Sequence, residues 1–193
     1  MKSKTLNLLL VFIFIISCKQ TETKKDEILI TNKVNQNPII KYGEKFFDYD
    51  SIDYYTIDIS EDNATKLLDN QNTKIEEKKY NIIMNDKFPK TIDKIDFIKD
   101  LSNIGFKKSS IKPDKFSDLN KIFSEKSEQD GIVFACIPIF RDLLVFKKKN
   151  KITGFAKICF SCNQYHIIGS KSDTKNFGQG SDYENLGKIL ESK

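Results

Sequence analysis

The alternation of apolar and polar residues along the chain predicts short strands and amphipathic helices in mixed order. Residues 52–59 are dominated by β-branched and aromatic side chains, which is typical of a strand. Ser60 follows directly and has the side chain of a helix N-cap. The helix that it would begin carries Ala64, Leu67 and Leu68 on one face, so this face is expected to be buried.

The middle of the chain predicts one short strand and two further helices. The strand is predicted at residues 80–84. Apolar residues recur at helical spacing over 92–103, where Thr91 would cap the helix and Gly105 would end it. Pro113 suits the first turn of the next helix. The expected buried face of that helix consists of Phe116, Leu119, Ile122 and Phe123.

Three apolar runs in the second half of the chain predict the centre of a sheet. They cover residues 132–138, 139–146 and 152–160, and their β-branched and aromatic content favours strands. Residues 148–151 would form the turn between the last two runs. Pro138 has no N–H to donate to a neighbouring strand, so it indicates a bulge, a sheet edge or a break in the strand.

The C-terminal segment predicts one more amphipathic helix, in which Ser181 and Glu184 have the spacing of a capping box. Residues 28–34 would add a first strand. Together these elements predict an α+β fold, in which an antiparallel sheet centred on 132–160 is covered by three or four amphipathic helices. We expect residues 28–193 to form a single globular domain, because this length is sufficient for one hydrophobic core.

The first residues of the chain have the layout of a secretory signal. Lys2 and Lys4 provide a basic start, Leu8–Ile16 is an unbroken apolar run, and Ser17 is a small residue at the expected cleavage position. A membrane-spanning helix needs about 20 apolar residues. The run is shorter than that, so a retained spanning anchor is the less favoured interpretation.

Cys18 follows this segment directly, and the combination resembles the signal peptide of bacterial lipoproteins of the Bacteroidota type, with Cys18 as the lipidated residue. Ile15 departs from the family pattern, which prefers Leu three residues before the cysteine. The resemblance implies that residues 1–17 are removed and that a polar tether over 18–27 joins a lipid to the folded domain. A signal peptide with an incidental Cys18 stays open as an alternative.

The resemblance also implies a location in the bacterial cell envelope. Attachment to the outer membrane is expected, on its periplasmic face or at the cell surface. The charge is mixed, with 32 basic and 27 acidic residues. A nucleic-acid partner is therefore not expected outside the cytoplasm. The expected partners are the membrane, through the N-terminal lipid, and a protein or small-molecule ligand.

The rare side chains of the chain fall within residues 136–166. Arg141 is the single arginine in a chain where Lys is the usual cation, which suggests that its planar fork of donors is required. Arg141 and Asp142 are expected in mid-strand on opposite faces. Arg141 is expected either to be buried and paired with a carboxylate that the sequence does not identify, or to bind an anion. The single histidine is His166. The remaining cysteines are Cys136, Cys159 and Cys162.

The three cysteines allow a disulfide, which oxidising envelope compartments favour. The sequence does not choose between Cys159–Cys162 and Cys136–Cys162. A hairpin turn over 148–151 would place Cys159 opposite Phe140, but the register cannot be fixed from the sequence.

A zinc site and a thiol-redox site are the alternatives. Cys136, Cys159, Cys162 and His166 together would form a Cys3His tetrahedral set. The CxxC at 159–162 would also suit thiol–disulfide chemistry, although no helix pattern follows it to lower a thiol pKa.

The block from Cys136 to Cys162, with its Pro138, Arg141 and Asp142, resembles a block of uncharacterised small lipoproteins of Bacteroidota. This resemblance implies no activity, substrate or cofactor. The chain carries none of the HExxH, GxSxG or P-loop motifs. The sequence therefore favours a non-enzymatic binding or structural role without a cofactor, in which the cysteines stabilise the fold.

Overall fold

A computed structural model of the chain describes residues 40–127 and 136–192, all of which belong to one compact unit. The strands are β1 (Tyr42–Lys45), β2 (Ser51–Thr56), β3 (Lys107–Ser110), β4 (Ser124–Lys126), β5 (Asp142–Lys148), β6 (Lys151–Cys159) and β7 (Gln164–Ile168). The helices are α1 (Glu61–Asp69), α2 (Lys74–Ile83), α3 (Phe116–Ile122) and α4 (Asp182–Glu191). Shorter-pitched 3₁₀ segments cover Ile92–Lys94, Asp96–Ile104 and Pro113–Lys115.

The main sheet has five antiparallel strands in the order β3-β2-β5-β6-β7. A separate two-stranded antiparallel pair joins β1 to β4. The predicted α+β class with an antiparallel sheet is confirmed. Within the described ranges, no helix is both long and apolar enough to cross a membrane.

Helices cover both faces of the main sheet because successive side chains of each strand point to opposite faces. On one face, Leu144 and Phe146 of β5 pack in a core with apolar residues of α3 and α4. On the other face, Leu143 and Val145 pack with residues of α1, α2 and the Asp96–Ile104 segment. All four side chains are fully buried, so β5 is the centre of two apolar layers.

The turn between β5 and β6 lies where the sequence predicts it. Lys149 and Asn150 both have positive φ, 49° and 62°. The two-residue hairpin turn whose twist matches that of the strands requires positive φ at both positions. The register then shifts by one residue, because β6 carries the extra residue Thr153 between the pairs Lys147↔Ile152 and Phe146↔Gly154. This bulge moves Cys159, the last residue of β6, away from the register that a regular hairpin predicts.

The predicted strand at 80–84 is wrong, because residues 80–83 form the last turn of α2 and Met84 is its C-cap. Thr73 and Glu76 make a complete capping box that begins this helix. The capping box predicted at Ser181 is also wrong: its side chain accepts no bond from the first turn of α4, although it accepts one from the Asn185 side chain.

Other predictions differ from the structure in their bounds. Ser60 caps α1 as expected, and Gly105, with φ of 105°, ends the 3₁₀ segment that replaces the expected α-helix over 92–103. Residues 136–141 are not in a strand, so β5 begins later than the predicted run at 139–146. The strand expected at 28–34, the signal, Cys18, the tether and residues 132–135 lie outside the described residues.

Candidate functional site at the end of the β6–β7 hairpin

Three sulfur atoms lie together where β6 ends. Cys136 and Cys162 form a disulfide with their Cα atoms 6.1 Å apart. Cys159, at the end of β6, has a free thiol and is buried in one cluster with Cys162 and Phe140. The structure therefore contains the second of the two pairings that the sequence left open, and the CxxC at 159–162 is not itself the disulfide.

Backbone contacts attach the segment before β5 to the same hairpin. The side-chain amide of Gln164 donates to the Cys136 carbonyl at 3.0 Å. The N–H of Ile139 donates to Cys159 Sγ at 3.3 Å, and Ser161 Oγ lies 3.4 Å from the same sulfur. The free thiol of Cys159 thus has two polar neighbours, one from the segment before β5 and one from the turn after β6.

Lys157 is the charged side chain at the centre of this region, and it is fully buried. Its Nζ donates to the carbonyl oxygens of Asn85 at 2.7 Å, Ile82 at 3.1 Å and Asn81 at 3.4 Å. Carbonyl groups in the last turn of a helix have no partner within the helix, so Lys157 provides donors for the end of α2. The Nζ also lies 4.4 Å from the centre of the Phe140 ring, which favours a cation.

Burial dominates the protonation of Lys157 and lowers its pKa to about 7, because the charged form loses its hydration. Asp86 opposes this shift through its negative charge. His166 is the partner of Lys157 in the register of β6 and β7. Burial lowers the pKa of His166 as well, partly offset by the contact between its Nε2 and the Pro89 carbonyl at 2.7 Å.

The four residues of the hypothetical zinc set are therefore divided between different interactions. Cys136 and Cys162 are bonded to each other, and His166 contacts a backbone carbonyl. Among residues 40–127 and 136–192, no group of three or more His, Cys, Asp or Glu side chains could hold a metal ion. Zinc binding stays a prediction that would require the reduced protein, because a thiolate is the ligand form of cysteine.

Arg141 and Asp142 lie at the start of β5 rather than in mid-strand, so the expected position is wrong. Arg141 is half-buried, and its Nε donates to the Ile59 carbonyl at 2.9 Å. Asp142 accepts a hydrogen bond from the Tyr54 hydroxyl at 2.5 Å. Both side chains thus tie β5 to β2 and the chain that follows it.

A second candidate region is an open cleft of about 550 Å³ between α3 and α4. Lys115, Lys121 and Lys188 line it together with the apolar side chains of Ile122 and Ile189. Clefts that combine apolar walls with a few polar groups are the usual form of a small-molecule site.

An ion pair is buried in the wall of this cleft. Lys126 donates to the Ile122 carbonyl at 2.6 Å and the Ser124 carbonyl at 3.2 Å, and its Nζ lies 3.0 Å from an Asp182 carboxylate oxygen. Burial lowers the pKa of Lys126 and raises the pKa of Asp182, while the charge of each partner opposes the shift. The N–H of Gly178 also donates to Asp182.

No protein family, characterised protein or solved structure matches this chain. The cysteines and His166 stand out in the sequence by their rarity, whereas the buried Lys126 and Lys157 are two of many lysines. The signal for Lys157 is a single charge inside the apolar run 152–160, which indicates a buried lysine that needs acceptors.

Proposed function

We propose that this chain is a lipid-anchored protein of the bacterial envelope that acts by binding a partner rather than by catalysis. Cys18 carries the lipid, residues 18–27 form the tether, and the folded region lies outside the cytoplasm, attached to the outer membrane. The cysteines of the folded region stabilise it, and no cofactor is required.

The observation that carries this proposal is the Cys136–Cys162 disulfide. Structural disulfides persist in oxidising compartments and are rare where glutathione and thioredoxin keep thiols reduced. The bond joins the chain just before β5 to the turn after β6, two segments that no regular strand pairing connects. It agrees with the secretory layout of residues 1–17, which is an independent property of the sequence.

The cleft between α3 and α4 is the part of the described surface that best suits a ligand. Lys188 is paired with Glu184, and Asp182 is paired with Lys126. The remaining charges of the lining are therefore those of Lys115, Lys121 and Asp118. Their positive excess favours an anionic group, and the isoleucines favour an apolar portion of the same molecule. The buried Lys126–Asp182 pair holds one wall of the cleft in place. The ligand expected here is a small molecule or a protein segment with a negative charge.

Lipidation is tested by producing the full chain with its own signal in a Gram-negative host supplied with an alkyne-tagged palmitate. We expect the wild-type chain to incorporate the tag and to fractionate with membranes. The matched variant Cys18→Ser should lose the tag and leave the membrane fraction. Equal labelling of both chains would contradict the proposal, and so would an untagged wild-type chain.

Compartment is tested by counting free thiols in the same envelope preparation after denaturation. A lipidated Cys18 and one disulfide leave only the Cys159 thiol, so one thiol per chain is expected. Three thiols would show that the bond does not form in the envelope. Measurement of zinc per chain in that reduced case would then test the Cys3His alternative directly.

A further inference from the structure

The free thiol of Cys159 belongs to the same buried cluster as one sulfur of the disulfide. Cys159 and Cys162 are separated by two residues within the β6–β7 turn, and Phe140 packs against both in that cluster. Both cysteines are almost fully excluded from solvent. A thiol held beside a disulfide in one cluster has a high effective concentration for exchange with it.

We propose that the disulfide of this protein exchanges between two pairings, Cys136–Cys162 and Cys159–Cys162, and that the exchange presents the thiol of Cys136 to solvent. The thiolate of Cys159 attacks Cys162 Sγ and forms the new sulfur–sulfur bond. The Cys136–Cys162 bond breaks, and its electron pair leaves on Cys136 as a thiolate. One proton is released from Cys159 and one is taken up by Cys136, so no oxidant or reductant is consumed.

The surroundings of the three sulfurs favour this direction of attack. The Ile139 N–H points at Cys159 Sγ at 3.3 Å, and such a donor stabilises negative charge on sulfur. The leaving sulfur belongs to Cys136, which is exposed, so its negative charge enters water. Exchange is faster when the leaving thiolate is the better stabilised one.

The exchange gives the protein a function that a simple structural disulfide lacks. The buried pair keeps the bond, while the exposed Cys136 thiol becomes free to form a mixed disulfide with a disulfide-containing molecule in the envelope. The chemical class of partner is thus a disulfide that can reach an exposed thiol. This inference depends on the three cysteines alone and not on the lipid or on the cleft.

The test traps thiols in the folded, full-length protein, kept in detergent without reductant, with N-ethylmaleimide at mildly alkaline pH. The protein is then denatured and digested with trypsin, and the labelled cysteine is located by mass spectrometry. The sequence suits this readout, because Cys136 falls in the tryptic peptide 127–141 and the other two cysteines share the peptide 158–171. A label on Cys18 is distinguished by its own peptide.

We expect label to accumulate on Cys136, with peptide 158–171 recovered as an internally bonded species. In the variant Cys159→Ser, which retains the Cys136–Cys162 bond, labelling of Cys136 should be lost. The second variant, Cys159→Ala, also lacks the thiol and should show the same loss. Agreement of the two variants excludes a folding defect caused by serine itself. The rate in the wild type should rise about tenfold per pH unit while the thiolate is the minor form.

Three outcomes would overturn the proposal. Label on Cys159, with peptides 127–141 and 158–171 still cross-linked, would show a static bond and a free thiol. Equal labelling of Cys136 in the wild type and in Cys159→Ser would show that Cys159 takes no part. A wild-type protein that stays unlabelled until it is unfolded with urea would show that the pairings do not exchange in the native state.

Discussion

Two lysines are buried among the residues that the structure describes, and they are stabilised differently. Lys126, next to α4, donates to two carbonyl groups and lies 3.0 Å from the carboxylate of Asp182. Lys157, below α2, donates to three carbonyl groups and faces the ring of Phe140. The first site supplies a full counter-charge at contact distance, whereas the second supplies dipoles and an aromatic ring.

The two sites show two ways in which a protein can retain a buried cation. A counter-charge lowers the cost of burying an ammonium group, but it makes the pair depend on both partners. Dipoles alone offset a smaller part of the desolvation cost. The pKa of the lysine therefore falls, and the side chain can lose its proton instead of remaining charged. We therefore expect the Lys126 site to respond most strongly to mutation of its partner and the Lys157 site to respond most strongly to pH.

The largest effect is expected from Asp182→Asn, which removes the counter-charge of Lys126 while keeping the side-chain shape. Breaking a buried ion pair from one side costs about 3–5 kcal/mol, because the remaining charge has no partner. Chemical denaturation should show a loss of this order. The matched control is Asp118→Asn, an exposed carboxylate at the same cleft, which should change the free energy of unfolding by less than about 0.5 kcal/mol.

The double variant Lys126→Met with Asp182→Asn sharpens the result. It should recover a large part of the stability lost in Asp182→Asn, since it no longer buries an unpaired charge. Equal destabilisation in the single and the double variant would mean that the site depends on packing rather than on charge.

Removal of the disulfide tests the support of the Lys157 site. The double variant Cys136→Ser with Cys162→Ser opens a loop closed by cysteines 26 residues apart, which corresponds to about 3.5 kcal/mol of stability. Unfolding in urea, compared with the single variant Cys159→Ser, measures this loss. Because Phe140 lies between the disulfide and Lys157, the pH dependence described next should also change in the double variant. An unchanged pH profile would show that the disulfide does not influence the Lys157 site.

Stability should rise with pH above neutrality because of Lys157. Its folded-state pKa of about 7 lies below the ordinary value of 10.5, so the unfolded chain binds more protons between these values. The free energy of unfolding should therefore increase by about 2 kcal/mol from pH 7 to pH 9. Denaturation curves at a series of pH values measure this slope.

Lys157→Met should remove this increase, whereas Lys151→Met, an exposed position on the same strand, should retain it. Lys157→Met also loses the donors to the end of α2, so its stability at high pH should fall below that of the wild type. The same slope in all three proteins would show that Lys157 is not the titrating group.

The smallest effect is expected from His166. Its folded-state pKa lies below the ordinary 6.5, mainly because of burial, so the unfolded chain takes up the proton first as the pH falls. His166→Gln should flatten the loss of stability below pH 6.5 and leave the change between pH 7 and pH 9 intact. If His166→Gln also removed the higher-pH change, the two groups would titrate as one coupled pair.

The elements with strong local signals could be predicted from the sequence, and those decided by tertiary structure could not. Ser60 begins α1 and Gly105 ends the 3₁₀ segment before it as expected, because cap chemistry acts within a few residues. Residues 80–84 resemble a strand in composition, but the capping box begun at Thr73 draws them into α2. The spacing of Thr73 and Glu76 is present in the sequence, and it is the local signal for the start of α2.

The candidate site shows the same limit. The cysteines could be identified as a group, but their pairing depends on the bulge at Thr153, which has no local signature. It also depends on the path of residues 136–141, where Pro138 indicates an irregularity but not its geometry. The role of Lys157 could not be predicted, because a charge within an apolar run can be interpreted only when its hydrogen-bond acceptors are known. Those acceptors lie more than 70 positions away along the chain.

Strand β3 forms one edge of the main sheet and has only four residues, of which Lys107, Lys108 and Ser110 are exposed. Lysines on a short edge strand oppose the addition of another strand, because a neighbouring chain would have to desolvate their charges. Many copies of the protein concentrated side by side would therefore resist growing into a continuous fibril from this edge.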